Sequence, residues 1–315
     1  MSDLYGGGVL LAEVVRSGFV ESWHRGSVVV LDAAGAVVHA AGDTTAPVFP
    51  RSSNKPLQTV GMLRAGLMPR DPADLALISG SHWGEPMHVQ RVREILGAAG
   101  LEPGALRCPA ALPLSESARD DWLRRQGGPE PLLMNCSGKH AGMLATCAAN
   151  DWPLETYLDP KHPLQVAIAD AVADLAGEPI AAVGVDGCGA PVFAFSLTAL
   201  ARSFQRLVDA EPGTPERRVA DEMRAHPELV AGTGADDTVL MRAVPGLLTK
   251  VGAEGVVAAA MPGAGAVALK ISDGSSRART PVLLSGLRRL GVDAPHLTEL
   301  ILGGGEPVGE VRSTW

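Results

Sequence analysis

Segments with strand character stand near the two ends of this chain, with a long helical stretch between them, and that arrangement restricts the fold more than any other feature. Val9–Val15 and Ser27–Asp32 read as strands, and Ala33-Ala34-Gly35 turns the second into Val37–Ala41. Late in the chain, Gly255–Ala260 and Ala266–Ile271 flank the turn Met261-Pro262-Gly263-Ala264-Gly265. Between them apolar residues recur with helical spacing over Pro56–Leu67, Met87–Ala99, Lys139–Ala149, Leu164–Leu175, Leu197–Val208 and Pro215–Ala225, and a further helix is expected over Pro281–Leu290. Strands from both ends around a helical middle imply an α/β fold: one antiparallel sheet assembled from distant segments, flanked by helices. No linker or repeat divides the sequence, so one domain over residues 1–315 is expected, with a helical subdomain near 56–245.

Composition narrows the function. The 315 residues are 46% hydrophobic and 20% charged, enough for a proper core, while aromatics at 4% leave Ala, Val and Leu to fill it. A net charge of -8 without any run of Lys or Arg excludes the footprint of a nucleic-acid binder. Met1–Gly8 has no positive charge ahead of an apolar stretch, and the longest apolar region, Gly255–Leu269, is broken by Pro262. A cytoplasmic protein with no membrane segment is therefore expected. Four cysteines, Cys108, Cys136, Cys147 and Cys188, are too few for a disulfide scaffold.

Of 27 basic residues only five are lysine, leaving 22 arginines. A GC-rich coding bias explains the arginines but not the retained lysines. A buried amine can lose its proton, which a guanidinium does not, so a base or amine ligand must remain lysine. Lys55, Lys139, Lys250 and Lys270 lie in apolar or Gly-rich surroundings, whereas Lys161 sits in an ordinary loop.

Four segments carry candidate chemistry. Ser52-Ser53-Asn54-Lys55 places a hydroxyl and an amine three residues apart just before Pro56, a residue favoured in the first helical turn. Ser79-Gly80-Ser81-His82-Trp83-Gly84 offers Ser81 as a second nucleophile, or else reads as a helix end with glycine stops. Asn135-Cys136-Ser137-Gly138-Lys139-His140 opens a helix, and Asp186-Gly187-Cys188 lies in a Gly-rich turn after a buried strand. Two thiolates and an amine could hold zinc, leaving one position open. Inert buried thiols and a Cys136–Cys188 disulfide are the other readings.

Taken together, Arg51-Ser52-Ser53-Asn54-Lys55-Pro56, Ser81-His82, the segment Asn135 to Met143, Asp186-Gly187-Cys188, His226-Pro227-Glu228, Leu248-Thr249-Lys250-Val251-Gly252 and Lys270-Ile271-Ser272-Asp273-Gly274 closely resemble the serine-lysine asparaginases of the third structural class, the asparaginase II family. The resemblance implies a fold like the serine β-lactamases and glutaminases, and hydrolysis of L-asparagine to aspartate and ammonia. It implies catalytic pairs Ser52 with Lys55 and Ser81 with Lys250, and zinc held by Cys136, Lys139 and Cys188. Asp186 would stand near the metal, and Arg51 and His140 would support the site or touch the substrate. A homodimer is the expected assembly. Trp83 and Gly84 depart from the small polar residues expected after Ser81-His82. A glutaminase, a β-lactam-acylated hydrolase and a non-catalytic amino-acid sensor are the competing readings. Ammonia release from Asn or Gln, and binding without turnover, separate them.

Overall fold

The computed structural model describes residues 5–315. In chain order the elements are β1 (Val9–Arg16), β2 (Phe19–Asp32), β3 (Val37–Ala41), β4 (Pro47–Val48), a 3-10 turn (Arg51–Asn54), α1 (Lys55–Arg64), α2 (Asp74–Ile78), α3 (Pro86–Ala98), α4 (Glu116–Arg124), α5 (Ser137–Ala149), α6 (Pro163–Ala176), β5 (Ala182–Val185), β6 (Pro191–Ser196) and α7 (Leu197–Asp209). There follow α8 (Pro215–Ala225), α9 (Pro227–Val230), α10 (Asp236–Ala243), β7 (Leu248–Val251), β8 (Val256–Met261), β9 (Gly265–Ile271), α11 (Arg279–Arg289), β10 (Glu299–Gly303) and β11 (Glu306–Ser313). Among the described residues, no helix is long and apolar enough to cross a membrane.

The expected antiparallel sheet forms, in the order β10-β11-β1-β2-β9-β8-β7. Strand β2 is longer than its apolar run. Its first half pairs with β1 and its second half with β9, while β3 takes the edge that β1 leaves. Ser17 and Gly18 turn β1 into β2 with φ of 49° and 79°, the positive values a two-residue hairpin turn requires. The half of β2 before Ser27 is missing from the sequence expectation because Glu21, Ser22, His24 and Arg25 dilute its apolar pattern. Strands β10 and β11 escape it too, since most of their residues face solvent or are half-buried. A small sheet, β4-β6-β5, stands apart.

Period-two alternation divides the central strands between two cores. Val29, Leu31, Ala258, Ala260, Ala266 and Ala268 face one core, and Val28, Val30, Val257, Ala259, Val267 and Leu269 face the other. Helix α7 covers the first face and α11 the second. Small residues let both helices sit close to the sheet. At Gly286 of α11 an added Cβ would come within 2.7 Å of the Val267 side chain. Helices α1, α2, α3, α5, α6 and α8 build most of the rest of the first core, and this helical lobe meets the β7 edge through the 3-10 turn.

Candidate active site

Four segments converge on the turn that carries Ser52. The turn begins at Arg51, whose φ of 53° is a left-handed value uncommon for a residue with a side chain. Ser53 then donates from its hydroxyl to the Lys250 carbonyl of β7 at 2.9 Å. Gly252, at the end of β7, presses so closely on this turn that a Cβ there would lie 2.5 Å from the Pro50 carbonyl. From the other side, the Arg51 Nε donates to Asp186 Oδ1 at 2.7 Å, and that same oxygen accepts the Gly187 N–H at 2.9 Å. The strained backbone at Arg51 thus comes with a guanidinium tied to the turn that holds Cys188.

Lys55 opens α1 with Pro56 beside it in the first turn, as the sequence indicates. Its side chain is 1% exposed. The amine donates to the Gly80 carbonyl at 2.5 Å and to the Ser81 hydroxyl at 3.0 Å. The amine of the Ser-x-x-Lys motif is therefore hydrogen-bonded to Ser81, while Lys55 meets Ser52 only through its backbone N–H, which donates to Ser52 O, and no side-chain hydrogen bond joins the two among the described residues. This changes the expected pairing. Ser81 is set beside Lys55 by its own backbone: Ser81 N–H donates to Val230 O at 2.6 Å, His82 N–H to Asn135 O at 3.1 Å and Trp83 N–H to Ala231 O at 2.6 Å. α2 ends at Ile78 just ahead of this segment, so the glycine-stop reading also describes it.

His82 is a strut. Its Nδ1 accepts the Gly84 N–H, which places the ring proton on Nε2, 2.9 Å from the Ser137 hydroxyl of α5. Burial first, then His88 and Lys55, hold it well below the usual histidine range, so it is neutral. Trp83 is half-buried, its ring lying where a Cβ at Gly232 would come within 2.9 Å.

Lys250 is wholly buried on β7. Its amine donates to Val251 O at 2.7 Å and lies 3.5 Å from the Asp237 carboxylate. The expected contact with Ser81 is not among its hydrogen bonds. Burial pushes Lys250 down to about 8; Asp237 opposes the shift, while Lys55 and Arg279 add to it. Asp237 is not among the residues the sequence points to, and neither is the helix α10 that it opens.

The cysteine cluster adjoins this group. Lys139, near the start of α5, donates to Cys188 Sγ at 3.3 Å. The Cys136 thiol donates to Asn135 Oδ1 at 3.3 Å; beside it Cys188 is pulled well down by Cys136, helped against burial by Lys139 and His140, while Cys188 and burial push Cys136 well up. Burial lowers Lys139, but the Cys188 thiolate, Cys136 and Asp186 more than restore it. His140 contacts the Tyr157 hydroxyl through Nδ1 at 2.6 Å, and that hydroxyl accepts the Arg107 N–H at 3.1 Å. The other ring nitrogen, Nε2, is buried without a hydrogen-bond partner and near enough to Cys188 to interact with its charge. Among the described residues, no three of His, Cys, Asp and Glu gather as a metal ion would need. The cluster instead offers two sulfurs and an amine, a donor set that fits zinc once its protons leave.

No curated protein matches the chain. Among solved structures it is similar to Mglu in its native form, at 15% identity and a TM-score of 0.45 over 84% of this chain and 63% of that one. It is also similar to a β-lactamase from Mycobacterium bovis, at 14% identity and a TM-score of 0.44 over 84% and 94%. Simvastatin synthase from Aspergillus terreus follows at 12% and 0.41, over 84% and 90%. The chain spans less than two thirds of the Mglu chain. The profile of the family described as L-asparaginase II matches residues 12–313, almost the full length, and the protein belongs to that family.

Proposed function

We propose that the protein hydrolyses L-asparagine to L-aspartate and ammonia through a serine-lysine network. The observation that carries this reading is the buried Lys55 amine, hydrogen-bonded to Ser81 and three residues from Ser52. A neutral amine has two N–H groups and one lone pair. Gly80 O and Ser81 Oγ take the two N–H groups, so the lone pair is what remains to accept a proton. Ser52, whose hydroxyl is not committed to any hydrogen bond among the described residues, supplies that proton as its oxygen attacks the amide carbon. The proton passes through Lys55 and Ser81 to the amide nitrogen, ammonia leaves, and the Ser52 ester is hydrolysed by water to aspartate, with Lys250 as the second base of the network. Membership of the L-asparaginase II family supports the amide substrate.

Cys136, Lys139 and Cys188 are the residues that would hold zinc. Bound there, it supplies fixed positive charge beside the Arg51–Asp186 pair. Cys136→Ser and Cys188→Ser should each purify without zinc, as judged by elemental analysis, while circular dichroism shows a retained fold. Zinc at the wild-type ratio in both variants would remove this site.

Ammonia release should be at least tenfold faster from L-Asn than from L-Gln in kcat/KM, because the Trp83 ring pinned against Gly232 stands two residues from Ser81 and one extra methylene misplaces the amide, an effect of about 1–3 kcal/mol. Faster turnover of L-Gln would make the protein a glutaminase and leave the serine-lysine chemistry in place.

A further inference from the structure

The proposed reaction uses Lys250, and a lysine fixed in a wholly buried position on β7 needs a physical reason. The Asp237 side chain, 1% exposed at the start of α10, answers this by its contacts. Its two oxygens accept the Val251 N–H at 3.1 and 3.2 Å, and its Oδ1 lies 3.5 Å from the Thr249 hydroxyl. Its Oδ2 stands 3.5 Å from the Lys250 amine. One carboxylate therefore touches three successive residues of β7.

We infer that Asp237 is a positioning residue of the active site, which locks the Lys250 ammonium in register by gripping the β7 backbone and the amine together. The inference rests on the serine-lysine reading for its kinetic consequence, and on the contacts alone for its structural one. The charged groups facing Lys250 are Asp237 from α10, Lys55 from α1 and Arg279 from near the start of α11. Arg279 is itself turned toward this end of β7, donating to Gly252 O at 3.1 Å. Of the three only Asp237 favours the ammonium. Without it, burial and two cations act unopposed, and Lys250 gives up its proton at lower pH.

The test is Asp237→Asn, which keeps an oxygen for Val251 and removes the charge. The limb of the kcat/KM profile governed by Lys250 should move toward acid by about one pH unit or more, because the neutral amine then forms at lower pH, while kcat on the plateau above that limb should fall by about tenfold through the lost register of the amine, with a smaller change in KM. A lowered melting temperature with the limb unmoved would mean that Asp237 is only structural, and would overturn the inference. In parallel the same substitution is made beside Lys250→Met and urea midpoints are compared across the four proteins, and an Asp237→Asn protein that does not fold alone should fold in the Lys250→Met background, failure in both overturning the inference. The loss caused by Asp237→Asn should shrink by more than half in the Lys250→Met background. An equal loss in both backgrounds overturns the inference. If the wild-type enzyme releases no ammonia from L-Asn, the functional reading fails, and the urea comparison still decides the role of Asp237.

Discussion

Lys55→Arg should lower kcat for L-Asn by about 10²–10⁴-fold, the range of a lost general base, and Lys250→Arg should do the same. Both changes keep the positive charge in a chain that uses arginine at 22 of its 27 basic positions. What they remove is an amine that can shed and regain a proton. Geometry is lost as well, because a planar guanidinium cannot reproduce the two contacts of Lys55 with Gly80 and Ser81 in a site 1% exposed. If the lysines served only as a positive field for the substrate carboxylate, arginine would keep activity within about tenfold, or ~1.4 kcal/mol in barrier. Lys161→Arg, at an exposed loop position, is the control and should be silent. Circular dichroism and zinc content confirm that the variants are comparable. Near-wild-type kcat in both site variants would refute the serine-lysine mechanism.

The second large effect concerns stability. Cys188→Ala in zinc-free protein should cost about 3–5 kcal/mol in urea unfolding, because it strands the buried Lys139 ammonium without its thiolate. Cys147→Ala should cost far less. Cys147 is equally buried, but it lies among apolar neighbours, and burial pushes its thiol up to about 12, so it is a neutral group that leaves no charge behind. The two substitutions remove the same atom from the same kind of interior. Equal penalties would show that the Cys188–Lys139 contact is no ion pair, and a Lys139→Met/Cys188→Ala double variant more stable than Cys188→Ala would confirm that the stranded amine is the cause.

Periodicity made the central sheet legible. The apolar runs of β8 and β9 around the Met261 to Gly265 turn, and the second half of β2, alternate between two cores, so their strand character is written at every residue. The half of β2 before Ser27 and the strands β10 and β11 contribute few buried side chains, and their pairing is decided by neighbours far away in sequence. The site divides the same way. Lysine scarcity and the spacing around Ser52, Cys136 and Cys188 mark the candidate residues, because each proposed role needs a particular side chain. Partner choice is another matter. Lys55 meets Ser81 because the backbone of Val230 and Ala231 carries the Ser81 segment to it, and no local pattern encodes that contact. Asp237 stays hidden for a related reason: an acidic residue at a helix start has an ordinary explanation, and only burial against Lys250 gives it another.

The sheet order also constrains how the protein can be made on the ribosome. β2 pairs with β9, Ser27 opposite Lys270, and β1 pairs with β11, Ala12 opposite Ser313. The first strands synthesised thus wait for nearly the last ones, while every helix of the lobe from α1 to α10 emerges in between. Until then β1 to β3 can form only a meander with open edges, the kind of surface that pairs with other nascent chains. Sheet closure is a late event with high contact order, slow by topology whatever the stability of the finished enzyme.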